Sequence, residues 1–167
     1  YEGFPYNEYE PIAPALNENA KKLADALAKG LYQSASNDEW VKELPQGMSK
    51  NLENAFLYRV KGLGEMHEMT DKIPTPEDME TVGNALREFL QEYAGDAYPV
   101  EEMIPYILDY GFGYAYLGNT MRDPDLEEIM VNGLSRKVFV YHHAHGMCRT
   151  TIEISEHDST IMRIISK

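Results

Sequence analysis

DPDLEEIMVNG, residues 123–133, is where the chain changes its period. Asp123-Pro124-Asp125 has turn chemistry, and Asn132-Gly133 supplies the positive φ of a second turn. Between them Ile129 and Val131 alternate around Met130, which predicts a strand with those two side chains on the core side. Two chemical readings compete with this one. A calcium loop needs alternating oxygen ligands and a central glycine, and Asp123, Asp125, Glu127 and Glu128 offer neither. A catalytic carboxylate pair needs two groups in different environments facing one cleft, and no cleft is signalled. The stretch therefore reads as architecture. Adjacent strand residues point to opposite faces, so at most one of Glu127 and Glu128 faces inward. That one would need a cation such as Arg136 or Arg149.

Downstream, KVFVYHHAHGMCRTTIEI (137–154) is rich in β-branched and aromatic residues and carries a turn signal at His145-Gly146. Strands are expected near 127–132, 137–144 and 147–154. Ser155 then caps the start of a further helix.

Upstream of Gly111 the spacing is helical. Asn17 caps a segment whose Ala20, Leu23, Ala24, Leu27, Ala28 and Leu31 form a narrow face suited to close packing. SNDEWVKELP predicts a short helix carrying Trp40 and stopping at Pro45. MSKNLENAFLYRVKGLG predicts a third, with Leu52, Ala55, Phe56 and Val60 on one side. TPEDMETVGNALREFLQEYAGD opens with Thr75 as N-cap, Pro76 in the first turn and two acids behind it, and Gly95 ends it. Pro99 opens a fifth helix, Val100 to about Tyr110. Before all of these, YEGFPYNEYEPIAPAL is rich in proline and tyrosine and reads as an extended arm. The fold class is α+β. A helical bundle is followed by a small antiparallel sheet, a hairpin, with flanking helices and a truncated C-terminus. The expected divisions are an arm over 1–16, a helical subdomain over 17–110 and an incomplete sheet subdomain over 111–167.

Bulk composition narrows the function. Of 167 residues, 43% are hydrophobic and 26% charged, which suits a folded domain rather than a disordered one. The formal charge of −13 repels nucleic acid and anionic lipid. One cysteine, Cys148, excludes an intramolecular disulfide and a four-cysteine zinc site. No apolar run approaches the ~20 residues that span a bilayer, so no direct membrane insertion is expected.

The candidate chemistry is sparse. GFGYAYLG (111–118) lacks the preceding strand and the spacing of a dinucleotide fingerprint, and its glycines read as turn formers. In YHHAHG, strand alternation would put His143 and His145 on one face as weak metal candidates, with His142 pointing away and His67 or His157 as distant third ligands. No phosphate-cradling loop, serine elbow or zinc helix occurs in the sequence. This stretch of chain is expected to be no enzyme, with no catalytic residue and no cofactor of its own.

Some fifty residues, YILDYGFGYAYLGNTMRDPDLEEIMVNGLSRKVFVYHHAHGMCRTTI, resemble the type II/IV secretion-system ATPases, and most of all their archaeal branch of archaellum motors and pilus-type secretion ATPases. The matching pattern is Gly113-Tyr114, then Asp123-Pro124-Asp125-Leu126-Glu127-Glu128-Ile129. The Asn132-Gly133 turn, Val138-Phe139-Val140-Tyr141-His142, and Thr150-Thr151 follow. YNEYEPIAPALNENAKKL is similar to the family's lead-in to its first helix. Residues 30–98 match nothing specific. LSRK (134–137) departs from the proline-containing turn frequent in the family. The resemblance implies the N-terminal domain of a longer, cytoplasmic protein. Its RecA-like motor would bind ATP and Mg beyond Lys167, after a hinge near residues 155–167, and Arg149 and Arg163 would be poor substitutes for the nucleotide-facing arginines expected there. Its partners would be that motor domain, neighbouring subunits of a hexameric ring, and membrane-platform and accessory secretion proteins. The alternative is a stand-alone protein- or ligand-binding sensor module.

Overall fold

The computed structural model describes residues 6–12, 15–32, 39–48 and 51–155. The chain divides into a helical unit over Pro14–Ala115 and a sheet unit formed by Tyr1–Ala13 together with Tyr116–Ser166. The polar stretch before Trp40, and everything after Ser155 including His157, Arg163, the expected last helix and the hinge, lie outside the described residues.

In the helical unit, α1 (Glu18–Tyr32) starts where Asn17 Oδ1 accepts from the Ala20 N–H at 2.9 Å. Its alanine-rich face is buried, and small side chains let a neighbouring helix approach closely. α2 (Glu39–Lys42) carries Trp40, and α3 (Asn51–Phe56) carries Phe56. α5 (Pro76–Tyr93) has the full capping box of Thr75 and Asp78 that its sequence announces. It is followed by α6 (Val100–Gly111). Rings of Trp40, Phe56, Phe89 and Tyr93 follow one another at centroid distances of 5.2, 5.3 and 5.0 Å. These offset contacts add to the area the rings remove from water.

The third helix is interrupted. After α3 the chain makes one π-helical turn, Leu57–Lys61, before α4 (Gly62–Met66). The wider turn brings Val60 and Lys61 inward as neighbours. Lys61 Nζ donates to the Gly30 carbonyl at 3.0 Å, at the negative end of α1, where a cation is favoured. Burial nonetheless lowers the Lys61 pKa.

The sheet unit holds β1 (Asn7–Tyr9), β2 (Leu126–Met130), β3 (Lys137–His142) and β4 (Gly146–Glu153), in the order β1-β4-β3-β2. β2, β3 and β4 are antiparallel as expected. The sheet is mixed rather than purely antiparallel, because the arm adds β1 parallel to β4. A sheet edge offers unpaired N–H and C=O groups, and residues 7–9 of the arm pair with them. Short helical turns, a 3₁₀ turn at Ala115–Leu117 and α7 (Gly118–Met121), lead into the sheet. Val138, Val140, Cys148 and Thr150 are buried on one face. Thr150 is tolerated there because its hydroxyl donates to the Val138 carbonyl at 2.8 Å and accepts from the Ile152 N–H at 3.1 Å. These bonds bridge the register irregularity opposite Val138.

β2 is irregular, and its expected extent and core contribution need correction. Leu126 faces His142 while Glu128 faces Tyr141, so Glu127 is the extra residue of a β-bulge. The bulge breaks the alternation, and Glu127 and Glu128 are both exposed. Neither needs a cation, and Arg149 pairs with Glu8 instead. The strand also stops at Met130. Ile129 is half-buried opposite Val140, and Val131, expected in the core, is 46% exposed.

α1 and α6 pack closely in the helical unit. A Cβ on Gly111 would stand 2.5 Å from Leu31 Cδ1 and 2.9 Å from Leu31 Cβ. Gly111→Ala should cost about 1–3 kcal/mol through overpacking. Combining it with Leu31→Ala should cost less than the sum of the two single changes, read by urea unfolding. Strict additivity would show that the two residues do not meet.

Candidate functional site

Asp123 is the centre of the sheet unit's polar structure. Its Oδ1 accepts from the Asp125 N–H at 2.9 Å, closing an Asx turn across exposed Pro124. Its Oδ2 accepts from the Tyr9 hydroxyl at 2.7 Å. Those two bonds, the Tyr9 one foremost, hold its carboxyl below the ordinary aspartate range. Burial, and then the adjacent carboxylate, push the Tyr9 phenol up to about 12. The same turn also steadies the hairpin, since the Asp125 carbonyl accepts from the His143 N–H at 2.9 Å.

The β3–β4 hairpin determines where the histidines go. β3 ends at His142, so His143, Ala144 and His145 form the turn, and strand alternation does not apply to them. His143 and His145 therefore do not share a strand face. The rings that approach are His142 and His145, with centroids 4.7 Å apart. His142 Nδ1 accepts from the Ala144 N–H at 3.1 Å, which requires that nitrogen to be unprotonated. Gly146, at φ +68°, completes the turn. Beside it a shallow depression of about 350 Å³ is lined by Asn7, Glu8, Tyr9, Glu10, His142, His145 and Cys148. Cys148 Sγ lies 3.4 Å from the Gly146 carbonyl and acts as a thiol donor. Among the described residues, no group of three or more His, Cys, Asp or Glu is placed to hold a metal. His67 lies in the helical unit, with Nδ1 2.8 Å from Asp78.

The remaining sequence-picked residues are dispersed. Gly133, at φ +115°, and Ser135, at φ +55°, shape the β2–β3 connection after exposed Asn132. The LSRK segment is tied down by the Ser135 N–H to the Ile154 carbonyl at 2.6 Å and by Lys137 to Glu153 at 3.2 Å. Tyr141 faces out, opposite Met147. Gly113 and Tyr114 belong to the helical unit, where a Cβ on Gly113 would come within 3.0 Å of Asp109 Cα.

Tyr9, Asn7 and Thr150 are the residues that sequence reasoning missed as structural anchors. Asn7 Nδ2 donates to the His145 carbonyl at 3.0 Å. Asn7 and Tyr9 sit one residue apart and so share a strand face, which is a recognisable pattern. Their partners lie 138 and 114 residues away and leave no local trace.

No protein-family model matches this chain, and no curated protein sequence matches it either. No described helix is long and apolar enough to cross a membrane.

The folded state holds the Tyr9 proton more tightly than the unfolded chain does. The contribution of this bond is therefore complete below pH 10 and is lost as pH rises through about 12. Asp123 acts at the other end, where stability falls as acid carries it below its ordinary carboxyl range. In a spectrophotometric phenol titration, Tyr9→Phe should remove one late-ionising tyrosine, and Asp123→Asn should bring that tyrosine down toward 10. An unchanged titration curve in both variants would contradict the assignment.

Proposed function

We propose that this chain is a non-catalytic N-terminal assembly and regulatory domain of a hexameric ATPase of the type II/IV secretion family, archaeal branch. The observation that carries the reading is how the family-like stretch is used. Asp123 closes a turn, Gly133 supplies positive φ, Val138 and Val140 fill the core, and Thr150 bridges an irregular ladder. None of these side chains converges with others on an enclosed cleft. Architecture of this kind suits a domain that transmits force. ATP and Mg belong to a motor domain beyond Lys167, because the chain has no Gly-rich phosphate loop of its own. Turnover there displaces this domain, and the sheet unit carries the displacement to neighbouring subunits and to platform or accessory proteins. The acidic surface favours basic partner faces over nucleic acid or anionic lipid.

A second reading, a stand-alone binding or sensor module, is favoured by one feature of the helical unit. An open groove of about 500 Å³ runs beside the π turn and α4, where Tyr58 and Met66 are largely exposed. The reading frame separates the two. A Gly-x-x-x-x-Gly-Lys-[Ser/Thr] loop within roughly 150 residues after Lys167 supports the first, and a stop codon there supports the second.

Calorimetry of the 167-residue chain with Mg-ATP at about millimolar concentration should give no binding heat, since a polyanion meets net negative charge without a phosphate cradle. A micromolar dissociation constant would overturn the domain reading.

A further inference from the structure

We infer that the β4 edge is an acceptor groove for residues 6–10 of a second copy of this chain, so that copies can be linked by exchanged arms. The inference is independent of the ATPase reading and rests on how β1 is held.

β1 is three residues long, and its register sets Asn7 opposite Cys148, Glu8 opposite Arg149 and Tyr9 opposite Thr150. Four side-chain contacts reinforce the backbone pairing. Tyr9 donates to Asp123, Asn7 donates to the His145 carbonyl, and Arg149 donates to Glu8 at 3.2 Å. Tyr6 meets Phe139 edge-on at 5.3 Å. All of these partners lie in the far C-terminal part of the chain. None of the contacts depends on which copy supplies the arm, so an exchanged arm would recover every one of them.

Just after the arm, Ile12 adds little restraint. Ile12 is 90% exposed, so its large apolar side chain is not packed. Next to it Pro11 lacks an N–H donor and has a fixed φ, which disfavours a helix or a tight hairpin at that point. The acceptor edge, in contrast, cannot be left open without exposing its ladder groups. The edge also reads sequence. A tyrosine is needed to reach Asp123, an asparagine two residues earlier to reach the His145 carbonyl, and an acid between them for Arg149. That order is Asn-Glu-Tyr, the chain's own residues 7–9, so the occupant that fits best after the chain's own arm is the same arm of another copy. The intramolecular arm competes through its effective concentration, so exchange is favoured where copies are crowded, as in a ring or a concentrated solution.

Two single-thiol chains test this. In a Cys148→Ser background, one copy carries Glu8→Cys and the other Arg149→Cys. They are mixed at high concentration, partly unfolded in urea, returned to buffer and oxidised. A disulfide-linked heterodimer on a non-reducing gel is expected, several-fold above the homodimer that either copy forms alone. Adding Tyr9→Phe to the Glu8→Cys copy should lower its yield. A third chain with both cysteines reports the register itself and should close within one molecule when dilute. A heterodimer yield no higher than the homodimer controls, with the double-cysteine chain closing normally, would overturn exchange. Failure of the double-cysteine chain to close would overturn the acceptor groove itself.

Discussion

The phenol of Tyr9 meets the carboxylate of Asp123 at 2.7 Å across 114 residues of sequence. That contact expresses the constraint on which the fold depends. The sheet needs a strand at its β4 edge, and the chain supplies that strand from its opposite end. The entire helical unit is therefore an insertion between β1 and the rest of the sheet. Asp123 serves both sides of the arrangement, one oxygen holding the arm and the other closing the turn into β2. A protonated phenol and an ionised carboxylate form a charge-assisted bond, and each shifts the other's titration in the direction that keeps it so.

What was legible in the sequence was local. The Thr75-Pro76-Glu77-Asp78 start of α5, the alanine face of α1 and the positive φ of Gly133 are each encoded within a few residues, and the structure has all three. So was the change from helical to strand period after Gly111. What was not legible depends on partners distant in sequence or on single-residue slips. The parallel pairing of β1 leaves no local mark. One inserted residue at Glu127 interrupts the alternation, and both glutamates end up exposed. The π turn at Leu57–Lys61 hides in an ordinary helical pattern, because one extra residue per turn alters which side chains face inward but not the composition. The histidine geometry is hidden for a similar reason. Strand alternation ends with β3 at His142, and the next three residues form a turn in which His142 meets His145.

The candidate site was legible mainly in the negative. The stretch at 123–133 lacks the ligand spacing of a calcium loop, and its residues make a turn, a bulged strand and a positive-φ connection. The depression beside the histidine turn is shallow, and its floor is shared by the arm that β4 accepts. Binding of the arm and the environment of His142 and His145 are thus properties of one surface. In the force-transmitting role proposed above such a surface would be of use, because an edge strand that changed partners would be a discrete element that two states could bias.

A double-mutant cycle on Tyr9→Phe and Asp123→Asn, read by urea unfolding at neutral pH, tests the central claim most directly. If the pair joins the two ends of the sheet unit, the coupling should be about 1 kcal/mol, below the range for fully buried bonds to charged groups because the site is half open to solvent. A coupling within about 0.3 kcal/mol of zero would mean that arm and turn are held independently and that this bond is not what ties them.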